Sequence, residues 1–156
     1  LFAAVFGPLY ERQPDQLKDT IRWNIEQGLA LTAVEVARAE QRRATMYQGL
    51  LEFFASYDFL ALPAAQVLPF PVEQEWVREI QGHTFDNYLQ WMQVCCAISL
   101  MPVPALSVPA GFSAEGLPVG LQLVGRPGSD FELLQLAHAF EQATRWGERR
   151  PPEPDA

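Results

Sequence analysis

Two apolar runs around a turn dominate the hydrophobic pattern of this chain. The runs cover residues 103–112 and 119–124, and the turn between them, 113–118, contains glycine and proline. This arrangement predicts a β-hairpin. Because both faces of each run are apolar, we expect both strands to be buried within a larger sheet. Proline removes a hydrogen bond from a strand ladder, so we expect Pro104 and Pro109 at strand ends.

The remaining apolar positions follow mainly a helical period. They predict helices over 14–27, 33–56, 85–100 and 131–144, a short helical piece over 76–81, and a buried strand over 58–63. Gly28 is expected to end the first of these helices. Helices that accompany a strand and a hairpin indicate an α/β fold, in which helices flank a mixed β-sheet in an α/β/α sandwich.

Local signals refine the helix predictions. Thr32 with Glu35, and Ser129 with Glu132, have the spacing of a capping box. The apolar positions of helix 33–56 predict a buried face made of Val34, Ala37, Met46, Leu50, Leu51 and Phe54. Those of helix 131–144 predict a buried face made of Leu133, Leu134, Ala137 and Phe140.

Composition excludes several classes of function. The chain has 156 residues, the size of one domain, and a net charge of −8, which gives it no electrostatic reason to bind nucleic acid. It has no apolar run of about 18 residues, so we expect no membrane partner. The two cysteines, Cys95 and Cys96, are adjacent and are expected to pack in the core. Unpaired cysteines favour a cytoplasmic location.

The hairpin also carries a resemblance to a known family. Its first strand reads Pro104-Ala105-Leu106-Ser107-Val108-Pro109-Ala110-Gly111, and its second reads Gly116-Leu117-Pro118-Val119-Gly120-Leu121-Gln122-Leu123-Val124-Gly125. This pattern resembles the C-terminal hallmark of the amidase signature family, and the similarity extends back to 58–63 and forward to Glu141. The resemblance implies a serine hydrolase that cleaves carboxamides without a metal or cofactor. It also places the loop after residue 63 near the substrate pocket.

The catalytic groups that the resemblance implies are two serines, one in a cis peptide, and a lysine base. They belong to a Gly/Ser-rich segment upstream of the matched region, and the chain contains no such segment. Its single lysine, Lys18, lies on a predicted amphipathic helix, and Ser107 lies on an apolar strand without a nearby base. His83 and His138 have no second ligand at metal-binding spacing. We therefore expect no catalytic and no metal-binding residue in this chain.

One residue is a candidate for substrate binding. In amidotransferase-type members, an acidic residue that follows a Tyr-x-x pattern recognises the substrate. Here Tyr88 is followed at that spacing by Trp91. A neutral indole cannot pair with an ammonium group as a carboxylate does, which argues against a glutaminyl-tRNA-forming role. Trp91 is expected either to border an apolar substrate pocket or to pack in the core against the helix that begins near Phe131.

These observations lead to one reading of the chain as the C-terminal part of an amidase, inactive by itself; its first residue is Leu rather than Met. The expected divisions are an N-terminal helical segment over 1–32 that continues a missing upstream part, the C-terminal part of an amidase signature domain over 33–147, and a solvated tail over 148–156. The full enzyme would act on a small-molecule amide, and exposed apolar surface would make the chain self-associate, for example as a homodimer. The alternative is a non-catalytic interaction or regulatory subunit, or a protein like the A subunit of an amidotransferase.

Overall fold

A computed structural model describes residues 1–149, so most of the predicted tail over 148–156 lies outside the described residues. The chain separates into two compact units, 1–46 and 47–156. The domain limits given above stay predictions. Within residues 1–149, no helix is both long and apolar enough to cross a membrane.

The first unit is helical. Helix α1 spans Phe2–Arg12, α2 spans Asp19–Ala30, and α3 begins at Ala33 and runs to Phe54 in the second unit. Helices α1 and α2 pack closely because Gly28 has no side chain: a Cβ atom there would lie 2.7 Å from the Cβ of Ala3. The Tyr10 hydroxyl adds a hydrogen bond of 2.6 Å to the Glu26 carboxylate. Gly28 therefore serves helix packing and does not end a helix as predicted.

The helix boundaries of this unit test the sequence signals. Residues 14–16 form a separate 3₁₀ turn and Lys18 is extended, so α2 begins at Asp19 and not at Pro14. The predicted capping box before α3 is confirmed: the Thr32 N–H donates to Glu35 Oε2 at 2.8 Å, and the Glu35 N–H donates to Thr32 Oγ1 at 3.2 Å. The Thr32 N–H and the Thr32 hydroxyl both donate to the Glu35 carboxylate and lower its pKa.

The predicted buried face of α3 is formed only at its C-terminal end. Phe54 is buried, whereas Val34, Ala37 and Met46 are exposed. Helical periodicity identifies the face that a partner could cover, but it does not determine whether a partner is present.

The second unit contains a three-stranded antiparallel sheet. The strands are β1 (Phe59–Pro63), β4 (Ala105–Phe112) and β5 (Pro118–Gly125), in the spatial order β1-β5-β4. The predicted hairpin is therefore confirmed, with β5 as the central strand. The α/β class is also confirmed, and within residues 1–149 this three-stranded sheet is entirely antiparallel. Strands β4 and β5 are joined by a short turn, which allows only antiparallel pairing, because parallel neighbours require a longer crossover.

Proline placement in β4 differs from the prediction. Pro109 lies inside the strand, opposite Gly120, and the register shifts between Pro109 and Gly111. Among the described strands β4 is an edge strand, and an edge strand with a bulge accepts proline because the missing N–H is not needed for the ladder. The expectation that both hairpin strands lie inside a larger sheet therefore holds within residues 1–149 only for β5.

Helix α5 (Asp130–Thr144) covers one face of this sheet. The core between them contains Val108, Leu123, Leu133 and Ala137, and Phe140 packs against it. Leu134, which was expected in this face, is instead 59% exposed. The predicted capping box at Ser129 is absent, because the Ser129 hydroxyl donates to the Arg126 carbonyl at 2.7 Å. The side chain therefore closes the turn that precedes the helix.

Two further predictions between β1 and β4 were wrong. Residues 76–81 do not form a helical piece, since β2 (Glu79–Ile80) pairs with β3 (His83–Thr84) around Gln81 and Gly82, which both have positive φ. The predicted helix over 85–100 is reduced to a 3₁₀ turn, Gln90–Met92, followed by α4, Gln93–Ser99. Asn87 Oδ1 accepts from the Leu89 N–H at 3.1 Å, and such local bonds compete with helix formation.

Candidate functional site

A cavity of about 480 Å³ opens where β1 ends. Its wall consists of the segment 63–70, which leaves β1, of Trp91, and of the first residues of β5, 118–120. Proline, alanine, valine, leucine and two aromatic rings supply most of this lining, and Gln66 supplies a polar side chain. A concave apolar surface with few polar groups is typical of a small-molecule site.

Trp91 and Phe70 form the aromatic part of this wall. Their ring centroids are 5.6 Å apart with an interplanar angle of 81°, an edge-to-face contact. The indole Nε1 of Trp91 is buried and has no hydrogen-bond partner in the structure of residues 1–149. An indole N–H is only a donor, and leaving it unpaired in the interior is unfavourable.

Three hydrogen bonds hold the segment 64–66 at the base of this cavity. The Ala64 N–H donates to the Gly120 carbonyl at 3.0 Å, which continues the contact between β1 and β5. Gln66 Oε1 accepts from the Val94 N–H at 3.0 Å, and the Cys95 thiol donates to the Ala64 carbonyl at 2.8 Å. Desolvation, with a smaller contribution from the neighbouring Cys96, raises the pKa of Cys95, so its thiol keeps its proton at neutral pH.

A second cavity of about 810 Å³ lies beside β4 and shares residues 118–120 with the first. Its aromatic lining consists of Phe112 and Trp146, whose ring centroids are 6.2 Å apart. The Arg149 guanidinium lies 4.0 Å above the Phe112 ring in a cation–π contact. This cavity contains one cationic side chain and no acid–base pair among its described lining residues.

The other residues considered from the sequence are dispersed. Ser107 is exposed on β4, His83 is exposed on β3, and His138 is exposed on α5. Lys18 is an exposed residue just before α2. In residues 1–149, no group of three histidine, cysteine, aspartate or glutamate side chains could hold a metal ion.

Sequence reasoning missed Gln66. The available signal was indirect: Met92, at the N-cap of α4, makes no side-chain capping hydrogen bond, so another acceptor was needed for the first turn of this helix. That acceptor lies 28 residues away in the sequence, and no local pattern identifies it.

Known proteins resemble this chain along most of its length. The family model described as Amidase matches residues 8–134. The acylamidase of Rhodococcus erythropolis is 31% identical over 152 residues, which cover 96% of this chain and 32% of that protein. The A subunit of the glutamyl-tRNA(Gln) amidotransferase of Thermodesulfovibrio yellowstonii is 34% identical over 114 residues, covering 73% of this chain and 22% of that protein.

Solved structures give the same result for the fold. A crystal structure of an amidase has a TM-score of 0.81 at 28% identity and covers 90% of this chain and 32% of the amidase. A bacterial aryl acylamidase of the amidase signature enzymes family has a TM-score of 0.82 at 21% identity and covers 96% of this chain and 34% of that enzyme. This chain thus spans about a third or less of the length of these relatives. The family match and the shared fold together show that the chain belongs to the amidase signature family.

Proposed function

We propose that this chain forms the C-terminal part of a serine hydrolase that cleaves carboxamides to a carboxylate and ammonia or an amine. The observation that carries the proposal is the apolar cavity lined by Trp91 and Phe70 in a chain of the amidase signature family. The apolar substituent of an amide matches this aromatic wall.

In this proposal the chain supplies one wall of the substrate site and no reacting group. A serine elsewhere in the protein attacks the amide carbonyl, its proton passes through a base to the leaving nitrogen, and water then hydrolyses the acyl-enzyme. The wall positions the substituent of the amide for this attack. The reaction needs no metal or cofactor.

Two alternatives belong to other classes. A role as the A subunit of an amidotransferase is favoured by the identity of several relatives, among them the Thermodesulfovibrio yellowstonii protein. Trp91 argues against it, because an indole lacks the carboxylate that the resemblance places after the Tyr-x-x pattern. A non-catalytic interaction or regulatory subunit on the same scaffold is the second alternative. This alternative is distinguished from an amidase by measuring amide hydrolysis in a protein that contains both this chain and an upstream catalytic segment.

We predict that the 156-residue chain alone releases no amine from acetanilide, since it lacks a nucleophile and a base. We also predict that a chimera is active, in which this chain replaces the matched 152-residue region of the Rhodococcus erythropolis acylamidase. Both proteins are assayed for aniline release on the same substrate.

The control is the chimera with the upstream nucleophilic serine changed to alanine, which should be inactive. Sustained turnover by the isolated chain, lost on Ser107→Ala, would contradict the assignment of catalysis to another segment. A folded but inactive chimera would support the regulatory alternative.

A second prediction concerns Trp91 in the active chimera. Trp91→Ala should lower kcat/KM for acetanilide relative to acetamide by about tenfold, because loss of the ring removes apolar contact only from the larger substrate. Stability should fall only modestly. Trp76→Ala, a half-buried tryptophan outside the cavity, is the matched control.

The opposite pattern would assign Trp91 to the core. In that case unfolding free energy should drop by roughly 3–5 kcal/mol, as for a buried tryptophan, while the ratio of the two substrates stays unchanged.

We also propose that copies of the chain associate with each other. Several large apolar side chains are exposed on α1 and α3; they include Val5, Phe6, Leu9, Val34, Val36 and Met46. Burial of such side chains is the main driving force for association.

A cytoplasmic location stays a prediction.

Sedimentation velocity over a roughly hundredfold range of protein concentration should show a dimer that forms by mass action. Val36→Glu should shift the equilibrium toward monomer, whereas Glu40→Gln, an exposed polar change on the same helix, should not. A monomer across the whole range would contradict the proposal.

A further inference from the structure

We propose that Gln66 is a positioning residue that fixes the Phe70–Trp91 wall and thereby sets the preference of the cavity for aromatic amides. This inference rests on the proposed function only for the nature of the ligand. The positioning itself follows from the hydrogen bonds of residues 64–66 and 94–95.

Gln66 lies between two parts of the wall. Its Oε1 accepts from the Val94 N–H at 3.0 Å, in the first turn of α4. Trp91 precedes Val94 by three residues, and Phe70 follows Gln66 by four. A single hydrogen bond therefore joins the segment that carries one ring to the segment that carries the other.

The segment 64–66 is held from two sides. The Cys95 thiol donates to the Ala64 carbonyl, so consecutive residues of α4 bond to both ends of the segment 64–66. Burial, followed by the charge of Cys96, raises the pKa of Cys95, and the protonated thiol remains a donor at neutral pH. The same segment is joined to the sheet through Ala64 N–H and Gly120. The cavity wall is thus held between the sheet and α4.

Met92 makes no side-chain capping bond, so loss of Gln66 Oε1 removes the side-chain acceptor of the Val94 N–H. The side-chain contacts that remain between these segments would be the Cys95–Ala64 hydrogen bond and the contact of 5.6 Å between the Phe70 and Trp91 rings. A looser pair of rings encloses a planar aromatic group less well, while a small amide uses little of that surface.

The structural arm of the test uses the 156-residue chain and NMR. Gln66→Met keeps the length of the side chain and removes its amide oxygen, whereas Gln66→Glu keeps an acceptor oxygen. We expect Gln66→Met to accelerate exchange of the Val94 amide by about tenfold, in keeping with the loss of one hydrogen bond, and to weaken the nuclear Overhauser contacts between the Phe70 and Trp91 rings. Gln66→Glu should restore both. Gln135→Met, at an exposed position of α5, is the matched control.

The binding arm uses the chimera whose nucleophilic serine is changed to alanine, with acetanilide as the probe and the Trp91 indole N–H resonance as the readout. We expect the affinity for acetanilide to fall about three- to tenfold in Gln66→Met and to recover in Gln66→Glu, with a much smaller change for N-methylacetamide. This selectivity is a readout that a general loss of stability would not give.

The outcomes distinguish the two proposals. If acetanilide does not shift the Trp91 resonance of the chimera without further substitution, the proposed substrate wall is contradicted, and the exchange and ring contacts still decide whether Gln66 positions it. If acetanilide binds equally well to this chimera and to its Gln66→Met variant, the selectivity role of Gln66 is overturned. Unchanged Val94 exchange and ring contacts in Gln66→Met would overturn the positioning role.

Discussion

The absence of a side chain at Gly120 is the constraint on which the second unit depends. A Cβ atom at this position would lie 2.9 Å from the Cβ of Ala64 and 3.0 Å from the Ser107 hydroxyl. The segment after β1 and the neighbouring strand β4 can therefore both approach β5 at this residue. The same approach allows the Ala64 N–H to reach the Gly120 carbonyl, which turns the chain from β1 into the cavity wall.

The sheet connects this packing to the candidate site. Residues 118–120 of β5 line both cavities, while the C-terminal half of β5 is buried and includes Leu123 in the core beneath α5. One strand is therefore anchored by hydrophobic burial at one end and lines the two cavities at its other end. Proline and glycine at this end present backbone and apolar surface without flexible side chains.

The features that the sequence predicted correctly are those determined by near neighbours. The hairpin and the Thr32–Glu35 capping box both depend on residues a few positions apart. Ser129 has the same local pattern as Thr32, but its hydroxyl bonds to the Arg126 carbonyl because the preceding turn brings that carbonyl close. Pro109 was misplaced because edge position depends on strand order, which the local pattern does not specify.

The role of Trp91 in substrate binding stays a prediction. Trp91 was named from its spacing to Tyr88, and in the structure it lines a cavity. Gln66 could not be named, since its partner Val94 is brought close only by the tertiary fold. The exposed positions of α3 and the exposed Leu134 show the converse limit: a periodic apolar face does not reveal whether a partner covers it.

The most direct test of this account is the stability of Gly120→Ala, compared with that of Gly49→Ala. A Cβ atom at Gly49, in α3, would meet no atom within 4 Å, and alanine there should raise the free energy of unfolding by roughly 0.5–1 kcal/mol. Alanine at Gly120 must displace Ala64 or Ser107 and should lower the free energy of unfolding by about 1–3 kcal/mol in urea titrations. An unchanged midpoint and slope for Gly120→Ala would contradict the claim that this close approach holds the sheet and the cavity wall together.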